Sequence, residues 1–242
     1  DGWRLSAVLG GSPGYDDRAD LPAAGSIVIN EVLANSVGGP DWIELRNTTD
    51  RAIDIGGWVL SDDADDLTKY RIAEGTTIGP GEYLLFHEDR HFGNETDPGC
   101  VEPFGLSRTG ETVYLHSASA DVIIGYGEQM EFGASEPGVT QGRYGNGGGR
   151  FELVPLVEPT PGGANAEPVV GPVVITEIMY HQADSADIEY VELRNISDED
   201  VVLYDAERGA PWRFTDDPAD PGIDLLFPAD PPVVLAPREY LL

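Results

Sequence analysis

The strongest constraint on this chain is that it repeats itself. Ile27-Val-Ile-Asn-Glu-Val-Leu33 returns as Val173-Val-Ile-Thr-Glu-Ile-Met179, and Trp42-Ile-Glu-Leu-Arg-Asn47 as Tyr190-Val-Glu-Leu-Arg-Asn195. Glu82-Tyr-Leu-Leu85 returns as Glu239-Tyr-Leu-Leu242. Trp3-Arg-Leu…Gly11-Ser-Pro-Gly14 anticipates Phe151-Glu-Leu…Pro159-Thr-Pro-Gly162 at a constant offset of 148 residues. The blocks therefore run in the order end, whole, beginning. Residues 1–17 read as the C-terminal end of a preceding repeat, 26–165 as one complete unit, and 172–242 as the N-terminal part of a further repeat. A repeated block is one structural unit with its own core, so each copy must find its own way to bury its apolar face. The cut third unit is expected to keep an open core and unpaired strand edges. Asp1 stands where an initiating Met would be, so the chain reads as a portion of a longer protein. The Pro/Gly/Ala-rich stretches at 21–25 and 159–168 read as the joints between units.

Inside the complete unit the apolar residues fall in short runs bounded by turn formers. The runs at 26–33, 41–47, 58–61, 69–73, 82–87, 112–116 and 121–126 have the β-branched or alternating character of strands. The first two read as an antiparallel pair, with Ile43 and Leu45 alternating against Trp42, Glu44 and Arg46. Thirty glycines and 19 prolines interrupt any longer helical pattern. Strands spaced about 8–12 residues apart indicate an all-β sandwich or barrel. Trp42, Trp58, Phe86 and Tyr114 read as packing between the sheets, with Ile27 and Ile29 beside them in the core.

The residues Ile29-Asn-Glu-Val, Asp41-Trp-Ile-Glu-Leu-Arg-Asn47 and Ile55-Gly-Gly-Trp-Val-Leu-Ser-Asp-Asp63 resemble the opening of a lamin tail domain. The step into Gly79-Pro-Gly-Glu-Tyr-Leu-Leu85, then Phe104-Gly-Leu-Ser107, Gly110-Glu-Thr-Val-Tyr-Leu115 and Pro159-Thr-Pro-Gly-Gly-Ala-Asn165, continues the resemblance. It implies an immunoglobulin-like β-sandwich of the bacterial secreted type, which occurs in tandem beside other domains of a parent chain. Ile178-Met-Tyr-His181 resembles the version found ahead of spore-coat-type kinase domains. The leading expectation is a non-catalytic module serving as spacer, adhesion or targeting domain.

Three groups of residues invite a chemical reading. His87-Glu88-Asp-Arg-His91 satisfies H-E-x-x-H, in which two histidines one helical turn apart hold zinc and the glutamate activates water. Glu111, 20 residues on, is where a third ligand would be sought. That chemistry demands a helix, whereas 82–86 reads as a strand and Gly93 ends any helix at once; an exposed polar loop is the plainer reading. Glu31 and Glu44 recur as Glu177 and Glu192 on strands expected to pair. Two such carboxylates could serve as a glycosidase couple if about 5–10 Å apart. Duplication in each unit favours a structural use instead, accepting hydrogen bonds from turn amides or pairing with Arg46. Finally, Asp62, Asp63, Asp65 and Asp66, echoed by Asp216, Asp217 and Asp220, offer oxygen ligands for a weak calcium site. Their spacing lacks the Gly and Glu of an EF-hand loop, and adjacent side chains in an extended turn point apart. The alternatives are thus a zinc hydrolase or a calcium-dependent binding module.

Charge narrows the partners. With 44 acidic against 14 basic residues the formal charge is −30. That disfavours nucleic acid, whose binding needs cations to displace phosphate counterions, and an anionic membrane surface. No apolar run reaches the roughly 20 residues of a membrane span. The lone Cys100 excludes an internal disulfide. Together with the resemblance to secreted lamin tail domains, which implies an extracellular, secreted or cell-surface module, this leaves a protein or a glycan as the expected partner.

Overall fold

The computed structural model describes residues 22–119, 122–145, 149–180, 189–215 and 222–242. The expectations for 1–17, for His181 and for Asp216, Asp217 and Asp220 lie outside the described residues. The chain divides into two compact units, 1–169 and 170–242.

In the first unit the strands are β1 (Ile27–Leu33), β2 (Trp42–Asn47), β3 (Ile53–Asp54), β4 (Val59–Ser61), β5 (Tyr70–Arg71), β6 (Thr77–Ile78), β7 (Tyr83–His87), β8 (Glu111–Ser119), β9 (Val122–Phe132), β10 (Gln141–Gly145) and β11 (Phe151–Pro155). None of the described residues is helical. A five-stranded sheet runs β11-β10-β1-β2-β7, a four-stranded sheet runs β5-β4-β8-β9, and β3 pairs β6. This is an immunoglobulin-like β-sandwich. Its core draws Ile27, Ile29, Ile43, Leu45 and Phe86 from one sheet and Leu60, Val113, Leu115, Met130 and Phe132 from the other, with Trp58 between. Burying these side chains is the main stabilising term, about 1.5–3 kcal/mol for each Leu, Ile or Phe.

Two expectations about packing need correction. Tyr114 is only half-buried, because Val113 and Leu115 take the inward phase of β8 and the intervening residue must face away. Trp42 is buried at 6 % exposure, yet it stands outside the main core, on the other face of β2. The run at 112–116 is part of a longer β8, and β8 and β9 form a long antiparallel ribbon from Glu111↔Phe132 to Ser119↔Val122.

A bulge in β1 decides where the next residues point. The register passes from Ile29↔Leu45 to Glu31↔Glu44, so Asn30 is an extra residue with no opposite number. A bulge shifts the in–out phase by one. Ile27, Ile29 and Val32 all reach the core, and Asn30 and Glu31 are both left for the outer face.

The second unit holds β12 (Val173–Met179), β13 (Tyr190–Asn195), β14 (Val201–Val202), β15 (Tyr204–Asp205), β16 (Ala210–Pro211), β17 (Arg213–Thr215), β18 (Asp224–Leu226), β19 (Val234–Leu235) and β20 (Tyr240–Leu241). β12 and β13 reproduce the β1–β2 register residue for residue, from Val173↔Asn195 to Met179↔Tyr190, with the same bulge at Thr176. β20 pairs β13 through Leu193↔Leu241 and Arg194↔Tyr240, as β7 pairs β2 through Leu45↔Leu84 and Arg46↔Tyr83. Asn195 repeats the corner made by Asn47, its amide nitrogen donating to the carbonyls of Glu199 and Leu235 where Asn47 reaches those of Arg51 and Ile78. Even the turn into the last strand recurs: Gly81 at φ +69° is matched by Arg238 at +64°. Both follow a proline, the arrangement of a type II turn, and only Gly adopts it without strain. The core of this unit is small, built on Leu203, Phe227 and Leu235.

Candidate functional site

Among the described residues, the charged side chains that are fully buried lie on the outer face of β1 and β2. Glu31 and Glu44 stand opposite each other across the pair, and both are 0 % exposed. What covers them is the segment after β11. Glu31 accepts hydrogen bonds from the Thr160 amide at 3.0 Å and the Thr160 hydroxyl at 2.6 Å. Glu44 accepts from the Gly162 amide at 2.5 Å and from the Asn30 side-chain amide at 2.8 Å. Asn30 also donates to Asn165 Oδ1 at 2.6 Å, and Asn165 donates back to the carbonyls of Asn30 (3.2 Å) and Arg143 (3.1 Å). The bulge makes this arrangement possible by presenting Asn30 and Glu31 together. Leu156 N–H bonds the Thr140 carbonyl and Val169 N–H the Pro155 carbonyl, so the segment is tied down on both sides.

The stretch 159–168 is therefore not a joint. Its Pro and Gly residues give it the composition of a linker, but they shape a loop whose amides aim at two carboxylates 118 and 129 residues earlier. Burial dominates the electrostatics of Glu44, pushing its carboxyl from 4.5 up to about 7 against the hydrogen bonds from Gly162 and Asn30, with Glu31 adding repulsion. A glycosidase couple needs solvent and substrate between its carboxyls. Here each carboxylate oxygen already accepts a hydrogen bond from the protein, so the pair closes the fold. The duplication of the two glutamates in the sequence was the signal; Thr160, Gly162 and Asn165 gave none that composition could distinguish from a linker.

The His87-Glu88-x-x-His91 stretch begins on the last residue of β7 and continues in turns. His91 N–H closes on the His87 carbonyl at 2.8 Å and Gly93 N–H on that of Glu88 at 3.0 Å. Nδ1 of His91 accepts the His87 backbone N–H at 2.8 Å, so that nitrogen is engaged. The two imidazoles lie 6.2 Å apart with their planes only 24° from parallel, and His91 packs edge-on against Phe86 and Tyr70. Burial, with Arg90 and His91 nearby, lowers the His87 pKa. Burial raises that of Glu88. The helix that the zinc chemistry requires is not formed at this motif.

In the acidic loop a cation is already present. Lys69 is 9 % exposed and its ammonium bonds Asp62 at 2.8 Å, with Asp63 at 3.7 Å. Asp63 turns its other oxygen to the Asp65 amide, and Asp66 caps Thr68 through its amide and hydroxyl. Those bonds from Thr68 lower the Asp66 pKa, and the bond to Asp62 raises that of Lys69. Asp62, Asp63, Asp65 and Asp66 are thus brought into one loop, held by the β4–β5 pair, without converging. Among the described residues no group of three or more His, Cys, Asp or Glu side chains is placed to hold a metal ion.

Comparison with known proteins gives one finding. Residues 21–129 match the model of the Lamin Tail Domain family, a stretch that ends within β9 and stops short of the closing segment. Searches of curated proteins and of solved structures returned no match.

Proposed function

From the match of residues 21–129 to the lamin tail domain family model, we propose that the chain is a non-catalytic, extracellular module of a longer secreted protein, acting as spacer, adhesion or targeting domain. The observation that carries this reading is the use of the buried glutamates. The fold commits its two fully buried carboxylates to closing itself, which is what a load-transmitting or display module needs and what a hydrolase cannot spare. Tandem bacterial secreted modules are the setting in which such a repeat makes sense. A formal charge of −30 keeps the chain hydrated and soluble at high salt, and points to protein or glycan partners instead of nucleic acid or anionic lipid.

The test has two arms. A reporter fused to the chain is expected to be retained by cell-envelope or polysaccharide preparations at physiological salt. No turnover of peptide, glycoside or phosphoester substrates is expected; a turnover lost in the Glu44→Gln variant would overturn the reading.

Two metal predictions accompany it. Zinc and chelator are expected to leave the melting temperature unchanged, and purified protein to carry no stoichiometric zinc; a bound zinc lost on His91→Ala would reinstate the hydrolase. Calcium titrated at constant ionic strength is expected to give no site tighter than about 1 mM, because Lys69 already pairs with Asp62 and Asp63 while Asp63 and Asp66 bond amides within the loop. A saturable micromolar isotherm abolished by Asp63→Asn would make calcium part of the function.

A further inference from the structure

β7 is the last strand of the five-stranded sheet, and one of its edges has no neighbouring strand. Bonds at its two ends set the phase of the ladder: Asn47 N–H reaches the Glu82 carbonyl and Glu88 N–H the Asp41 carbonyl. By antiparallel alternation Leu84 and Phe86 then bond β2, while Tyr83, Leu85 and His87 turn their main-chain groups away from it. His91 takes up both groups of His87, its Nδ1 accepting the N–H and its own N–H donating to the carbonyl. Among the described residues nothing meets those of Tyr83 and Leu85. Their N–H and C=O groups form an open row.

Beside this edge the sandwich does not close. A hollow of about 540 Å³ runs between β7 and the stretch from β5 towards β6, lined by Tyr70, Ile72, Leu84 and Phe86. Tyr70, Ile72 and Phe86 belong to the core and Leu84 packs against it, so the floor is apolar. Leu85 also lines the hollow, although its side chain stands on the outer face opposite Glu44. Its backbone is what borders the space, so the opening lies along the free edge. The rim is acidic. Asp97 lies by Tyr70, whose ionisation its charge opposes, and Glu74 lies further along the same wall. Of the basic groups there, Arg71 turns onto the Gly57 carbonyl at 3.0 Å and His91 is engaged at Nδ1.

We propose that the free edge of β7 is a docking site for an extended, basic peptide segment of a partner protein, which joins the five-stranded sheet as a further strand. Its main chain pairs with Tyr83 and Leu85, and an apolar side chain enters the hollow. Lys or Arg residues next along the same face meet Asp97 and Glu74. Strand addition draws affinity from main-chain bonds and specificity from alternate side chains. Basic charge complements the rim and the chain's formal charge of −30, whereas a second copy would set like charge against like. The inference deepens the module reading by naming a partner class, and it rests on that reading. A chain retained by envelope preparations that ignores such a peptide would leave the module role standing and overturn this one.

The experiment is amide hydrogen exchange on the full chain, with and without a synthetic peptide carrying Lys-Thr-Val-Thr-Lys at its centre. In the chain alone the Tyr83 and Leu85 amides are expected to exchange freely, and at saturating peptide to gain about 10-fold protection or more. A peptide with Glu in place of both Lys is expected to bind about 10-fold more weakly at low salt. Leu85→Pro removes a donor on the free edge and leaves the β2 ladder alone, a change that edge strands tolerate. It is expected to abolish binding. Glu74→Lys, at an exposed position, is expected to weaken binding severalfold with the melting temperature unchanged. Amides already protected in the chain alone overturn the proposal, as does protection that grows with chain concentration and needs no peptide. So do peptide binding that leaves both amides unprotected, equal affinity for the Glu peptide, and binding undiminished in either variant.

Discussion

Replacing Trp58 with alanine is expected to cost the first unit about 3–5 kcal/mol. The indole is 5 % exposed and lies in the middle of the sandwich core. It packs on Tyr126 at a ring separation of 4.8 Å. Tyr126 in turn spans the two sheets, its hydroxyl bonding the backbone of Ile27 on β1. Truncation removes the largest side chain at this junction and leaves a cavity that Ile55, Leu60 and Ile72 cannot collapse to fill, because Leu60 is held in β4 between β5 and β8 and the backbones of Ile55 and Ile72 are bonded to the carbonyls of Thr76 and Trp58. Trp58→Phe is expected to recover roughly half of the loss, since it returns most of the apolar volume. Urea unfolding followed by circular dichroism, read on the transition of the first unit, measures both. A loss below about 1 kcal/mol would mean that the indole does not fill the space between the sheets.

The first unit is also expected to be more stable near pH 6.5 than near pH 8. Glu44 titrates at about 7 in the fold against 4.5 without it, because burial disfavours its charged form. A carboxyl whose folded pKa is raised contributes its stability fully below the unfolded value and loses it as pH rises through the folded one. The window is therefore pH 4.5 to about 7. The expected loss across it is on the order of 3 kcal/mol at most, at 1.36 kcal/mol per pKa unit. Glu111 and Glu128 are raised by burial and act in the same sense. Relief of self-repulsion as carboxyls protonate also acts that way. His87 and His116, whose imidazoles burial holds low, work in the opposite sense as pH falls below 6.5, and below the ordinary carboxylate range so does Asp66, held low by Thr68. Melting temperatures at constant ionic strength should fall from pH 6.5 to 8 in the native chain, above the range in which the histidines oppose the trend, and less steeply in Glu44→Gln. A flat or inverted native profile, or an equal slope in the variant, would show that burial does not govern this carboxyl.

Much of this architecture was legible in the residues. The β1–β2 pair, the sandwich class and the recurrence of Glu31 and Glu44 all rest on apolar alternation or on self-similarity, which are local signals. The structure departs from those signals where tertiary contacts override them. β10, Gln141-Gly-Arg-Tyr-Gly145, has no apolar alternation and is a strand because β1 and β11 flank it. The Asn30 bulge is invisible in Ile27–Leu33 read alone, and it is what turns Glu31 outward beside Glu44. Glu44 looks like a solvent-facing position by its alternation with Ile43 and Leu45, and it is buried where the segment carrying Gly162 covers the sheet's outer face. That cover was hidden in a stretch whose Pro and Gly content suits a linker equally well. At the H-E-x-x-H stretch the strand residues of β7 outweighed the motif, as their β-forming side chains imply.

The closing segment has a consequence for how such a chain emerges from the ribosome. Its donors, Thr160 and Gly162, are made 129 and 118 residues after the glutamates they bind. Until they arrive, the β1–β2 hairpin carries two hydrated carboxylates on a face that would otherwise be one of its most adhesive surfaces. Charges at such positions act as gatekeepers against edge-to-edge and face-to-face aggregation of a half-made sheet. The same pair that is buried in the finished unit thus serves as the nascent chain's protection, and residues near the end of the first unit are the ones that retire it.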